Sequence, residues 1–240
     1  MKGVFVTATD TGVGKTIVSA VIARLLLKRN IRVGVMKPVT SGCREVNGLL
    51  VSEDACILAH GAGIPEVSDE MAPYRLRLPI APSAAAANEG VDIDFRHIQS
   101  SYARLADSHD FLIVEGAGGL MAPLTDRLLI SDLIEYLSLP ALVVARPDLG
   151  TVNHTLLTCF AAKQLGIDVR GLVISNYPEP PGIVVESGRG LIDSIADVPL
   201  LAVLPHAEGN SPESIVHDLA ERLADRPETE LLLRRIGAIY

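Results

Sequence analysis

The sequence predicts an α/β fold, a mostly parallel sheet with helices on both faces. Two observations predict it. Short apolar runs rich in Val and Ile recur along the chain, continuous rather than alternating, as strands buried on both faces must be. Between most of these runs lie segments with helical spacing, and such alternation needs crossover connections, which join parallel strands. Ligands of these sheets sit beyond the carboxyl ends of the strands, so the loops after each strand are where function is expected.

The first run, residues 4–7, leads through a polar, glycine-containing loop into a helix expected over 16–28. A second strand over 33–36 ends at Lys37. Residues 40–109 hold two or three helical stretches and no convincing strand, and are expected to form a helical excursion over the sheet. Within them the small residues 84–87 suit close helix packing. Strands resume over 111–114, 141–144, 171–174 and 200–204, with helices expected over 130–137, 152–165, 183–195 and 212–223. The tail, 228–235, alternates charges with leucines as a peripheral amphipathic helix does. No repeat or linker interrupts the pattern. With 240 residues, 48% of them hydrophobic, the chain can build a sizeable core, and residues 1–240 are expected to form one domain.

Charge and cysteine usage exclude several classes. A formal net charge of -8 opposes general binding to nucleic acid or an anionic membrane, although a concave site can still be locally basic. Cys43, Cys56 and Cys159 are odd in number and form no CxxC pair, which argues against a disulfide framework and a zinc ribbon. The six histidines form no HxH or HxxxH pair suited to a transition metal. The N-terminal residues turn polar too soon for a signal peptide, and no apolar run reaches about 18 residues, so a cytoplasmic protein is expected.

The chemistry begins after the first strand. The segment Ala8-Thr9-Asp10-Thr11-Gly12-Val13-Gly14-Lys15-Thr16 stands between a strand and a helix, the order of a phosphate-binding loop. Gly12 and Gly14 let main-chain amides approach phosphate oxygens, and the helix N-terminus adds positive potential. Lys15 can reach terminal phosphates and Thr16 can ligate magnesium. Thr9 stands where the usual spacing has glycine, so the loop is a variant and the expected fold is P-loop NTPase-like. Lys37, with Thr40-Ser41-Gly42 just beyond, brings a second cation and two hydroxyls to the same end of the sheet. Alone it reads as a solvated lysine; beside a phosphate loop it can neutralise charge developing on a transferred phosphoryl group. Asp54, near the start of a helix, reads equally as a partner of the helix dipole or as a ligand. Glu115 ends an apolar run before Gly116-Ala117-Gly118-Gly119, where a phosphate-loop enzyme places a second magnesium anchor. Asn176 ends another strand and can donate and accept at a purine edge, or simply form a turn.

Taken together these residues resemble the dethiobiotin synthetase family, carbon-dioxide-fixing ring-closure enzymes of biotin synthesis. The resemblance covers most of the chain. It rests on the segment Thr7 to Thr16, Lys37-Pro38-Val39-Thr40-Ser41-Gly42, Asp54, Pro73-Tyr74, Val114-Glu115-Gly116-Ala117-Gly118-Gly119, Leu149-Gly150-Thr151-Val152-Asn153-His154 and Asn176. Two departures stand out: Ala8 replaces a glycine, and Ala81-Pro82-Ser83 replaces Ser-Pro-His, leaving that histidine's place unfilled.

The resemblance implies the following. 7,8-Diaminononanoate takes up carbon dioxide on one amine as a carbamate, ATP with Mg2+ phosphorylates the carbamate, and the other amine closes a cyclic urea. Lys37, Lys15, Ser41 and Thr11 would be catalytic. Gly12, Val13, Gly14, Lys15, Thr16 and Ile17, with Gly116, Ala117 and Gly118, would hold ATP, while Asn176, Tyr177, Pro205, His206 and Ala207 would contact the base. Thr16, Asp54 and Glu115 would hold the metal. Thr151, Val152 and Asn153, with Ser41, would bind the diamine, the helix segment reaching a neighbouring subunit's site in a homodimer. A partitioning-type switch ATPase and a cobyrinate-type amide synthase remain as alternatives. The former carries a signature lysine where this chain has Asp10, and the latter carries a glutaminase domain for which the chain has no room.

Overall fold

The computed structural model describes residues 3–239. The chain opens with β1 (Gly3–Ala8), buried throughout, which feeds α1 (Lys15–Leu27). There follow β2 (Val33–Met36), β3 (Val39–Thr40), β4 (Arg44–Val46), β5 (Leu49–Val51), α2 (Glu53–Ala62), β6 (Tyr74–Arg75), α3 (Pro82–Glu89) and α4 (Phe95–Ser108). The second half runs through β7 (Phe111–Glu115), α5 (Ile130–Leu137), β8 (Ala141–Ala145), α6 (Thr151–Gln164), β9 (Val169–Tyr177), α7 (Ile183–Ile195), β10 (Leu200–Pro205), α8 (Pro212–Leu223) and α9 (Pro227–Arg235).

Six strands form one parallel sheet in the order β10-β9-β8-β1-β7-β2. From β1 the chain moves to the β2 edge, inserts β7 between β2 and β1, and then crosses to build β8, β9 and β10 on the other side. That reversal of direction opens a crevice beyond the carboxyl end of β1, where open sheets of this type bind ligands. Its floor is set by register: Val6 pairs with Glu115 on β7, and Thr7 with Val143 on β8.

Helix α1 is apolar on most of its surface because it is enclosed, with Val18, Ala20, Val21, Ile22, Leu25 and Leu26 all buried. Against it lies α2, brought close by Gly61, where a Cβ would fall 2.8 Å from the Ala20 Cα. This contact sets the start of α2, with Asp54, over the start of α1.

The expected strands and the helices between them are all present, most with ends shifted by at most a residue; β9 (Val169–Tyr177) runs beyond the expected 171–174 at both ends. Residues 40–109 differ. They contain α2, α3 and α4, but also β6 paired in parallel with β3, and an antiparallel hairpin of β4 and β5. Strands of two or three residues are too short to show a period of two. The hairpin did carry a local signal, Asn47-Gly48, with φ of 52° and 79°, the left-handed pair a tight two-residue hairpin turn requires. Cys43, Cys56 and Cys159 are free thiols. Among the described residues no helix is long and apolar enough to cross a membrane.

Candidate active site

The loop after β1 wraps the N-terminus of α1. Gly14 caps the helix with φ 93°, and a Cβ there would both strain the backbone and run into the Ser175 Oγ. No described side chain caps α1, which leaves its first amides open to an anion. They face a cavity of about 380 Å³ that this loop lines with Thr11, Gly12, Gly14, Lys15, Thr16 and Ile17. Val13 turns its side chain into the core, leaving only main chain toward the cavity. The opposite wall comes from the ends of β2 and β7, from β3 and the residue after it, and from the start of α2: Lys37, Val39, Thr40, Ser41, Asp54, Glu115, Ala117 and Gly118. Gly116 lies below, where a Cβ would come 2.9 Å from the Phe5 ring.

Four side chains meet in this cavity. Lys37 Nζ lies 2.5 Å from Glu115 Oε1, 2.7 Å from Asp54 Oδ2 and 3.4 Å from the Gly116 carbonyl. Thr16 Oγ1 lies 2.9 Å from Glu115 Oε1 and 3.3 Å from Asp54 Oδ1. Lys37 and Glu115 are 4% and 0% exposed, so Lys37 is no solvated lysine. Burial presses its ammonium toward neutrality, but Glu115 and Asp54 outweigh burial and hold its pKa above the ordinary lysine value. Burial likewise opposes the Asp54 charge, and Lys37 overcomes it, holding that carboxyl below its usual range. Lys15 makes no ion pair among the described residues, and the more distant charges of Glu115, Asp54 and Asp10 only partly offset its burial. Burial first, and then the Lys37 charge, bring its pKa down to about 8, while its Nζ rests 3.1 Å from the Asp10 carbonyl.

The donor set fits a magnesium ion. Thr16, Asp54 and Glu115 offer hard oxygens, and Glu115 Oε2 is buried with no hydrogen-bond partner among the described residues. Among the described residues no group of three or more His, Cys, Asp or Glu side chains could hold a metal alone. The two carboxylates and one hydroxyl that are present match the needs of magnesium, which takes one or two carboxylates and completes its shell with water and phosphates.

The remaining candidates fall elsewhere. Asn176, with φ 57°, and His206 join the ends of β9 and β10 through a 2.6 Å contact between Asn176 Oδ1 and His206 Nδ1. Tyr177 and Pro205 line a separate cavity of about 430 Å³ beside edge strand β10, and Ala207 packs partly against the core. Thr151 donates from Oγ1 to the Arg146 carbonyl at 2.5 Å, tying down its own turn, while Val152 packs on the β9–α7 side and Asn153 is exposed. None of these three lines the phosphate-loop cavity of its own chain.

Comparisons with known proteins bear on this geometry. A family model described as an AAA domain matches residues 2–214. The ATP-dependent dethiobiotin synthetase BioD of Bacillus licheniformis is 41% identical over 223 residues, 93% of this chain and 94% of that protein. The chain belongs to the dethiobiotin synthetase family. The enzyme of that name from Thermodesulfovibrio yellowstonii is 38% identical over 213 residues, 85% of this chain and 88% of its own length. Among solved structures, the septum site-determining protein MinD of Pyrococcus horikoshii, complexed with Mg-ADP, aligns with a TM-score of 0.55 at 19% identity, over 93% of this chain and 96% of that one. A ParA family ATPase from Chlorobium tepidum aligns with a TM-score of 0.55 at 14% identity, over 99% and 100%. These two share the P-loop NTPase fold with this member of the family.

The two departures from the family pattern sit apart from the cavity. Ala8 is buried at the end of β1, and its carbonyl accepts from the Leu120 amide at 3.2 Å. Ser83 lies in the first turn of α3 and does not line the cavity. Sequence reasoning gave no role to Ser175, which fills the space a side chain at residue 14 would need, or to Ser52, the N-cap of the helix carrying Asp54. Ser52 did leave a signal, a serine directly before a helical run.

Proposed function

We propose that this chain is an ATP-dependent dethiobiotin synthetase, joining 7,8-diaminononanoate and carbon dioxide into the cyclic urea dethiobiotin while ATP is cleaved to ADP and phosphate. Beside the family membership, the observation that carries this reading is the meeting of buried Lys37 and Glu115 and half-buried Asp54 with Thr16 of the phosphate loop.

A carbamate is a weak nucleophile, so the site must mainly align it and screen negative charge. The uncapped amides of α1 and Lys15 are suited to the ATP phosphates, and Lys37 to the charge that develops as the γ-phosphoryl group moves to the carbamate oxygen. Ser41 would hydrogen-bond the carbamate, with Thr11 on the phosphate side. Thr16, Asp54 and Glu115 would hold magnesium, which when bound screens the phosphate charge. In the closing step the second amine attacks the carbamic–phosphoric anhydride: a carbon–nitrogen bond forms, the carbon–oxygen bond to phosphate breaks, and the amine's proton passes to the departing phosphate or to water. Asn176, Tyr177, Pro205, His206 and Ala207 would contact the base.

Thr151, Val152 and Asn153 are read as the receptor of the diamine's carboxylate in a partner's site, since an N-terminal helix turn binds carboxylates without a lysine. Support comes from the exposed face of α6. Leu157 and Phe160 follow Asn153 at helical spacing and are 58% and 62% exposed, and Leu149 just before the helix is 84% exposed. A second copy covering this face would make a homodimer with shared sites, each chain one domain, in the cytoplasm. A switch ATPase is not favoured, because the likeness to MinD and ParA is one of fold alone.

Phosphate release from Mg-ATP tests the reading. It should require the diamine and bicarbonate together; release that proceeds without the diamine would overturn it.

A further inference from the structure

Two buried hydroxyls, one of them on Thr40 in the cavity wall, have no part in the chemistry proposed above. Thr40 and Ser52 are 5% and 2% exposed, and their Oγ atoms lie 2.9 Å apart. Burying a hydroxyl costs free energy unless it is hydrogen-bonded, and Val and Ala would fill these two places with no polar atom to satisfy. What the pair adds is direction: a hydrogen bond holds a distance that an apolar contact lets slide.

Each partner is anchored on its own side. The Thr40 carbonyl accepts from the Leu76 amide at 2.7 Å, within the pairing of β3 with β6. Ser52 Oγ accepts from the Ala55 amide at 3.1 Å, capping α2. Together they close the base of the excursion over residues 41–51, whose hairpin strands are exposed or half-buried and are tied to the start of α2 by the exposed Arg44–Glu53 pair at 3.1 Å, a weak link in water. At one foot of that excursion stands Ser41. At the other, two residues past Ser52, stands Asp54, against Lys37 and Thr16.

We infer that the Thr40–Ser52 hydroxyl pair is a positioning device that sets Asp54 at its distance from Thr16 and Lys37 and fixes Ser41 across the same cavity. The inference rests on the reading of Asp54 as a magnesium ligand. Groups hydrogen-bonded to metal ligands hold them in place, and losing one weakens metal binding roughly 10- to 100-fold; this pair acts on Asp54 indirectly, through the capped first turn of α2, so the low end of that range is expected.

The test uses the full-length protein and two readouts apart from turnover: Mn2+ binding to the protein with ADP, followed by electron paramagnetic resonance, and hydrogen exchange at amides 54–56 without metal. Thr40→Val keeps the side chain's shape and the Ser52 cap. It should weaken Mn2+ binding about tenfold and speed exchange in the first turn of α2. Ser52→Thr, which keeps both the cap and the hydroxyl, should bind Mn2+ within about twofold of the wild type, whereas a site needing only a cap would not distinguish Thr40→Val from the parent. Wild-type Mn2+ affinity in Thr40→Val, alongside weakened binding in Asp54→Asn, overturns the positioning role. Unchanged binding in Asp54→Asn instead removes Asp54 from the metal site, and this inference falls with that reading. If both Thr40→Val and Ser52→Ala lose their circular-dichroism signature, the pair is a folding element and the positioning role is likewise overturned.

Discussion

Lys37 reaches Glu115 across 2.5 Å, so the carboxyl ends of the neighbouring strands β2 and β7 are joined by a buried ion pair at the edge of the phosphate-loop cavity. The pair has two consequences. It holds a cation in the site before any nucleotide arrives, and it makes Lys37 part of the fold. Removing one member of a buried pair leaves the other uncompensated, which costs about 3 to 5 kcal/mol. Lys37→Ala is therefore expected to lower kcat by about two to four decades, as loss of a well-placed electrostatic stabiliser does, and to lower the melting temperature as well. Glu115→Gln in the same background should recover much of the stability and none of the activity. Steady-state kinetics below the transition, beside calorimetry, separates the two effects.

Asp54 and Glu115 are expected to act through the metal. Asp54→Asn and Glu115→Gln should each raise the magnesium concentration for half-maximal turnover by roughly tenfold or more. A magnesium titration of both variants that overlays the wild type would take them out of the metal site.

Lys15 supplies a pH dependence. Its pKa is lowered to about 8 by burial and then by the Lys37 charge. The ammonium form is the one that attracts phosphate, so ADP affinity should be full below pH 8 and fall as the pH rises through it. Lys15→Arg, whose guanidinium stays charged, should flatten that fall even where it lowers activity. Isothermal titration from pH 7 to about pH 9.5, a range chosen to bracket the lysine titration, reads both slopes.

Gly14 is expected to tolerate no side chain. With φ 93° and Ser175 in the way, Gly14→Ala should lose about 1 to 2 kcal/mol from the left-handed backbone alone and should abolish measurable ADP binding. Gly12→Ala has open space around the added carbon, so its effect should be the backbone strain without the collision, and melting curves of the two variants should rank accordingly.

The shared-site arrangement predicts a dimer by sedimentation. Asn153→Ala should raise the diamine KM several-fold and leave the ATP KM nearly unchanged. Mixing Lys37→Ala with Asn153→Ala protein should restore one site per heterodimer. A monomer, or no rescue after subunit exchange is verified, rejects it.

The sheet was legible because parallel strands buried on both faces leave continuous apolar runs such as Phe111 to Val114, and the phosphate loop because its residues are contiguous. What depends on three-dimensional placement was not. Lys37 and Glu115 stand 78 positions apart, and only the β2–β7 register turns a lysine that reads as solvated into a buried partner. Asp54 could be read either way until α2 was seen packed on α1 through Gly61. The Asn176–His206 contact depends on β9 and β10 being neighbours, and the Thr40–Ser52 pair on a hairpin too short to show periodicity.

The most direct test of the central claim is a single incubation of the pure protein with 7,8-diaminononanoate, isotopically labelled bicarbonate and magnesium ATP, read by mass spectrometry. A cyclic urea that carries the label should accumulate in step with phosphate. Phosphate without labelled urea, or no turnover of any of the three substrates by folded protein, would contradict it.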